Sequence, residues 1–231
     1  ADRVLVNSEA SLGALRESLP WAARRASVVY NGVPGPPEVA GLDAVPSGPA
    51  RIAMVGRLSP RKGTDVALEA TALLVARGYD VLLEVAGSVF PGYEWFEEEL
   101  RRRADQPDLA GRVVLHGYLN PVWSLLARCR VVLVPSRTEP FGNAAVEAQL
   151  AGRPVVVAGV QGLREIVTDG ENGLVVPSED AAALADAIAR LLDDEALAQR
   201  LARSGRESAE RRFGPATYRD HIASEVRTLV G

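Results

Sequence analysis

Arg51-Ile52-Ala53-Met54-Val55-Gly56-Arg57-Leu58-Ser59-Pro60-Arg61-Lys62-Gly63-Thr64 is the stretch whose reading decides the fold. Five residues of near-continuous apolar character give way at Gly56 to a short polar turn. A helical pattern then begins at Thr64 and runs to Arg77. A strand that is apolar without alternation is one buried on both faces, and a helix that follows within a few residues is the crossover of a parallel sheet.

The same alternation extends outward in both directions. Strands are expected at Val81 to Ala86, Val113 to His116, Val131 to Pro135, Val155 to Val157 and Gly173 to Val176. Helical patterns occupy Tyr93 to Ala104, Val122 to Arg128, Asn143 to Ala151 and Leu163 to Thr168. Beyond Pro177 only helical spacing remains, over Asp180 to Leu192, Glu195 to Arg212 and Pro215 to Val230. The fold class is therefore α/β, a Rossmann-like doubly wound parallel sheet with helices on both faces and a helical C-terminal tail. Upstream, a strand at Arg3 to Asn7, a helix capped by Ser8 and a short strand at Ser27 to Tyr30 make a separate unit, residues 1–30. Residues 31–50 hold Pro34, Pro36, Pro37, Pro46 and Pro49 and are assigned as a linker. The main domain is 51–214, and 215–231 is a last helix.

Composition narrows the function classes. A net charge of −4 provides no general attraction for nucleic acid or an anionic membrane, so an anion must be bound locally. The single cysteine, Cys129, excludes an internal disulfide and a multi-cysteine metal centre, and its apolar setting marks it as a core residue. No run approaches the roughly 20 apolar residues of a membrane span. Without a signal peptide the expected location is cytoplasmic. The chain opens at Ala1 inside an apparent strand, as a fragment would. Of 26 basic residues, Lys62 is the one lysine, and a lysine kept in an arginine-rich chain suggests a need for a compact ammonium.

In a doubly wound sheet, ligands bind beyond the carboxyl ends of the strands. The loop Gly56 to Thr64 sets Arg57, Arg61 and Lys62 near a helix N-terminus, where free N–H groups already favour an anion. It is not a Walker A loop, since Lys62 precedes Gly63, and no GxGxxG follows a strand. The loop Pro135-Ser136-Arg137-Thr138-Glu139-Pro140-Phe141-Gly142-Asn143 leads into a helix bearing Glu147, on the face of Asn143 by i, i+4 spacing. A carboxylate there can accept both hydroxyls of a ribose, while Glu139 stays in the loop. A third loop, Ala158-Gly159-Val160-Gln161-Gly162, again joins a strand to a helix.

Taken in order, these segments resemble the C-terminal, donor-binding domain of the retaining GT-B glycosyltransferases called glycosyl transferases group 1. The resemblance rests on Gly56-Arg57-Leu58 with Lys62-Gly63, on Glu139-Pro140-Phe141-Gly142 with Glu147, and on Asn31-Gly32-Val33 and Asp169-Gly170 with Asn172-Gly173-Leu174-Val175. It covers nearly the whole chain and implies one half of a GT-B fold, its acceptor domain lying mostly outside the sequence. It implies a hexosyltransferase-type enzyme that transfers sugar from a nucleoside diphosphate to an acceptor hydroxyl, with retention and without a metal or other cofactor. Arg57, Lys62 and Glu139 would form the catalytic set. Gly56, Tyr118, Leu119, Phe141, Gly142, Asn143 and Glu147 would complete the donor site, with Tyr118 and Leu119 flanking the base. The partners implied are a nucleotide sugar and an acceptor held by the other domain, through which peripheral membrane contact is open. The fragment alone is expected to be inactive. Ala158 to Gly162 departs from the Gly-Gly pair of many relatives. A sugar-nucleotide epimerase and a non-catalytic nucleotide-sugar-binding or assembly module are the two rival readings.

Overall fold

The computed structural model describes residues 3–38 and 47–230. Residues 39–46 of the linker at 31–50, and the chain ends 1–2 and 231, lie outside the described residues.

Six parallel strands form the main sheet: β3 (Ala50–Val55), β4 (Val81–Ala86), β5 (Val113–Leu115), β6 (Val131–Val134), β7 (Val155–Ala158) and β8 (Leu174–Val176), counted after the upstream pair β1 (Val4–Val6) and β2 (Ala26–Val28). Their spatial order is β5-β4-β3-β6-β7-β8. The chain therefore builds leftward from β3 to β5, then crosses back and continues rightward from β6. Loops leaving β3 and β6 diverge to opposite faces, which opens a crevice between their carboxyl ends.

Both faces are covered, as the uninterrupted apolar strands require. Ile52 and Met54 of β3 and Val131 and Leu133 of β6 face one core, packed under α3 (Thr64–Ala76), α4 (Glu94–Ala104) and α8 (Ala181–Asp193). Ala53, Val132 and Val134 face the other, under α5 (Trp123–Ala127), α6 (Asn143–Leu150), α7 (Leu163–Ile166) and the end of α9 (Glu195–Phe213). The period-2 side-chain alternation thus delivers apolar groups to two cores from one strand. Cys129 is fully buried in the second.

The upstream pair makes a two-stranded parallel sheet of its own with α1 (Glu9–Ser18) and α2 (Pro20–Ala23). Pro20 at the first position of α2 starts a turn of helix that periodicity does not reveal. The last helix, α10 (Pro215–Val230), runs back to this unit: Arg3 pairs with Glu225 at 3.0 Å. A Cβ on Gly32 would lie 2.7 Å from that of Tyr218, so glycine is what lets α10 cross the chain there.

Candidate functional site

The β3–α3 loop is built to approach the β6–α6 loop. Leu58 is buried and anchors the loop, and Pro60–Lys62 make one 3-10 turn. Gly63 follows with φ +70°, and a Cβ there would sit 2.1 Å from the carbonyl oxygen of Pro135. Only glycine permits both the left-handed backbone and this contact. The consequence is that Lys62, 77 residues from Glu139 in sequence, donates through Nζ to the Glu139 carboxylate.

Arg137 braces the turn from outside. Its backbone N–H donates to the Arg61 carbonyl at 2.8 Å, and its guanidinium makes two bonds to Asp65, at 2.9 and 2.6 Å, and one to Glu179 at 2.8 Å. Those bonds, led by the pair to Asp65, raise its already high pKa, so it is a fixed cation occupied by protein carboxylates. Arg57 is held differently: its guanidinium lies over the ring of Phe90, 4.4 Å from the centroid.

On the opposite wall, Glu139 is 8% exposed and is fixed by its main chain. Its N–H donates to Gln161 Oε1 at 2.8 Å, and its carbonyl accepts from Gly162 N at 3.1 Å. This gives the unusual 158–162 loop a role. Gln161 adopts φ +37°, a region a non-glycine residue rarely enters, and from there its side chain holds the main chain of Glu139. Gly142, at φ +123°, turns the chain into α6, where a Cβ would meet Leu163 Cδ2 at 2.6 Å.

These elements enclose a cavity of about 400 Å³. Gly56, Arg57, Arg61 and Lys62 line one side; Glu139, Phe141, Gly142, Asn143 and Glu147 line the other. The ring of Phe141 is 2% exposed, stacked on Tyr30 at 5.9 Å and edge-on to Phe213 at 5.4 Å. What Phe141 offers a ligand is chiefly main chain. A second cavity, of about 340 Å³, is lined by Val33, Pro34, Tyr118, Leu119, Trp123 and again Glu147. Tyr118 is 73% exposed, so its ring is free to cover a flat ligand.

Glu147 stands where the two cavities meet. Its carboxylate has no hydrogen-bond or ion-pair partner among the described residues, and burial raises its pKa above the usual range. His116 behaves otherwise. Its ring sits 3.2 Å from Glu84, a carboxylate 1% exposed that also binds Arg51 and Arg128. Burial works to raise the Glu84 pKa, but the bonds from Arg128 and Arg51 outweigh it and hold the carboxyl below the usual range. Asn7, Trp123 and the bracing Arg137 are site or brace residues to which the sequence assigned no role. Asn31-Gly32-Val33 was legible as a motif, but only the fold shows which way it faces.

Among the described residues no cluster of His, Cys, Asp and Glu could hold a metal ion, and no helix is long and apolar enough to cross a membrane. The arrangement offers three cations against Glu139 in one cavity, with the lone carboxylate of Glu147 between it and an aromatic-lined second one. It suits a ligand with an anionic middle, a diol and a flat end.

Comparison with known proteins gives this geometry a family. The D-inositol 3-phosphate glycosyltransferase of Mycolicibacterium smegmatis is 36% identical over an alignment covering 99% of this chain and 54% of that protein. Glycogen synthase of Mycobacterium tuberculosis is 36% identical over 70% of the chain and 38% of its own length. Among solved structures, Alr3699/HepE of Anabaena in complex with UDP and glucose superposes with a TM-score of 0.88 at 27% identity, covering 98% of this chain and 63% of that one. The chain thus spans about half the length of the curated relatives it matches, and its sheet and helical tail are one half of a GT-B fold. The model of the family described as "Glycosyl transferases group 1" matches residues 43–208, a span that contains the β3–α3 and β6–α6 loops and both cavities' shared glutamate; the chain belongs to that family.

Proposed function

We propose that this chain is the donor-binding part of a glycosyltransferase that takes a sugar from a nucleoside diphosphate and passes it, with retention of configuration, to an acceptor hydroxyl. The observation that carries the reading is the convergence of Arg57, Arg61 and Lys62 on a cavity whose far end is the unpartnered Glu147. The diphosphate occupies the cationic side, the ribose diol binds Glu147, and the base lies in the second cavity against Tyr118 and Leu119. Glu139 faces the sugar. Lys62 has three N–H donors and gives one to Glu139, which leaves two for phosphate oxygens.

The chemical difficulty is the departing diphosphate. As the bond from the anomeric carbon to the phosphate oxygen breaks, that oxygen keeps the electron pair and negative charge accumulates on the leaving group. Cations already fixed by Phe90 and Glu139 stabilise that charge more in the transition state than in the bound donor. They do so without a metal ion in this proposal. The acceptor oxygen bonds to the anomeric carbon as its hydroxyl proton passes to the departing phosphate oxygen, and the acceptor's binding belongs to the other half of the enzyme, so the 231-residue chain binds donor without turnover.

Calorimetric titration of UDP, ADP and GDP into the chain and into Lys62→Ala tests this. At least one nucleotide binds the unaltered chain, and Lys62→Ala weakens it by about 10-fold or more, the worth of a charge-assisted hydrogen bond. Absence of binding by all three would refute the site. Unchanged affinity in the variant would remove the role of Lys62.

A further inference from the structure

Asn7 and Asn31 belong to the upstream unit and its exit, yet both line the cavity that holds Arg57, Lys62 and Glu139. We propose that these two amides form the wall that receives the sugar of the donor, binding its hydroxyl groups. The inference rests on the nucleotide-sugar reading of the cavity and adds to it residues from outside the six-stranded domain.

Asn7 directly follows β1, at the carboxyl end of that strand. A chain of hydrogen bonds fixes its amide: Ser8 Oγ donates to Ser11 Oγ at 2.8 Å, and Ser11 Oγ donates to Asn7 Oδ1 at 3.0 Å. With its oxygen engaged, Asn7 presents its NH2 to the cavity. Asn31 Nδ2 donates to Asn143 Oδ1 at 3.0 Å, which leaves Asn31 its carbonyl oxygen and one N–H, and leaves the Asn143 NH2 free.

The wall is rigid relative to the cations. The Glu165 carboxylate of α7 accepts from the first two N–H groups of α1, Glu9 at 2.9 Å and Ala10 at 2.8 Å, and from Tyr30 Oη at 3.0 Å. Val33 N donates to the Phe213 carbonyl at 2.8 Å, and Tyr30 stacks in the aromatic group with Phe141 and Phe213. Asn7 and Asn31 are therefore bolted to the main domain at several points, as a binding wall must be.

The chemistry favours hydroxyls over phosphate at this wall. Phosphate oxygens only accept, and the cations across the cavity already meet them. A sugar hydroxyl both donates and accepts, and the NH2 of Asn7 together with the carbonyl oxygen and remaining N–H of Asn31 match it without competing for the diphosphate.

The test is the ratio of affinities for a nucleotide and its sugar conjugate, measured by calorimetry with the pairs UDP/UDP-glucose, ADP/ADP-glucose and GDP/GDP-mannose. For whichever pair binds, Asn7→Ala and Asn31→Ala each weaken the sugar conjugate by about five-fold relative to the bare nucleotide, the effect of one lost neutral hydrogen bond. Asn7→Asp keeps the acceptor for Ser11 but exchanges the NH2 for an anionic oxygen; the added charge weakens nucleotide and conjugate alike, so the ratio still falls by about five-fold, which guards against misfolding of the alanine variant. Equal effects on nucleotide and conjugate, or no effect on either, would overturn the inference while leaving the phosphate site standing. Failure of the unaltered chain to bind any of the six compounds would overturn the donor-site reading and this inference with it.

Discussion

Replacing Glu147 by glutamine should make the protein more stable and a worse nucleotide binder at once. Glu147 is partly buried, its carboxylate has no partner among the described residues, and burial holds its carboxyl above the usual range. Burial disfavours the charged form of this carboxyl. Glutamine keeps the shape and removes the charge, a gain of about 1 kcal/mol at the low end for an unpaired buried polar group. For a chain of this size that is a rise of roughly 2–4 °C in Tm. The sign with pH follows from linkage. A carboxyl whose folded pKa is raised binds protons more tightly in the folded state, so the wild-type protein loses stability as pH rises from the unfolded pKa through the folded one. The advantage of Glu147→Gln is therefore full above the folded pKa and closes as pH falls toward the ordinary carboxylate range. Nucleotide affinity moves the opposite way. Two ribose hydroxyls lose an ionised acceptor for a neutral one, about 1 kcal/mol each, or roughly 30-fold in Kd. Thermal melts from pH 4.5 to 8 and calorimetry at pH 7.5 check both. A variant with unchanged or lower Tm at every pH, or with wild-type affinity for the nucleotide, would refute the assignment of Glu147 as a free, ligand-facing carboxylate.

Gly63→Ala should cost about 3 kcal/mol or more, because it combines left-handed backbone strain with a forced separation from Pro135, and it should weaken nucleotide binding by parting Lys62 from Glu139. Gly78→Ala is the control: its φ is +90° with nothing within 4 Å of a Cβ, so only the strain, about 1–2 kcal/mol, applies. Denaturant melts of the two variants should differ accordingly. Burial pushes the Cys129 thiol up to about 12, with the nearby Glu84 charge adding to it. Intact-mass measurement after iodoacetamide at pH 8 should find the folded chain unmodified and the urea-unfolded chain fully alkylated.

The sheet was legible because two-sided burial leaves a local trace. Ile52, Ala53 and Met54 must all be apolar when alternate residues enter different cores, and the same holds for Val131 to Val134. Lys62 was legible as the chain's one lysine on a strand-to-helix turn. What no local pattern carries is the crossover that puts β6 beside β3, since a periodic run does not state its neighbour. The Lys62–Glu139 pair depends on that crossover and on the Gly63–Pro135 contact, and so do both cavities. Asn7 and Asn31 fell in a segment read as another domain and its linker, where short amides have no periodicity to betray a facing cavity. Phe141 shows the reverse: its place in Glu139-Pro140-Phe141-Gly142 marks the loop, but its ring serves the packing with Tyr30 and Phe213.

Two glutamates withdrawn from solvent separate structure from function in this fold. Glu84 lies on β4 with 1% exposure and is met by Arg51, Arg128 and His116, so its charge is satisfied and its carboxyl is held below the usual range. Glu147 lies on α6 where the two cavities meet, and its carboxylate is met by no side chain among the described residues. A chain that provides three partners for one such carboxylate had the means to provide one for the other. The same crevice also holds Gln161 at φ +37° and glycines that tolerate no Cβ, whereas α8 and α9 are capped by Asp180 and Asp194 in the ordinary way. The strained backbone of Gln161 and the unmatched Glu147 carboxylate both gather beside the switch point between β3 and β6, which is where a ligand would supply the missing partner.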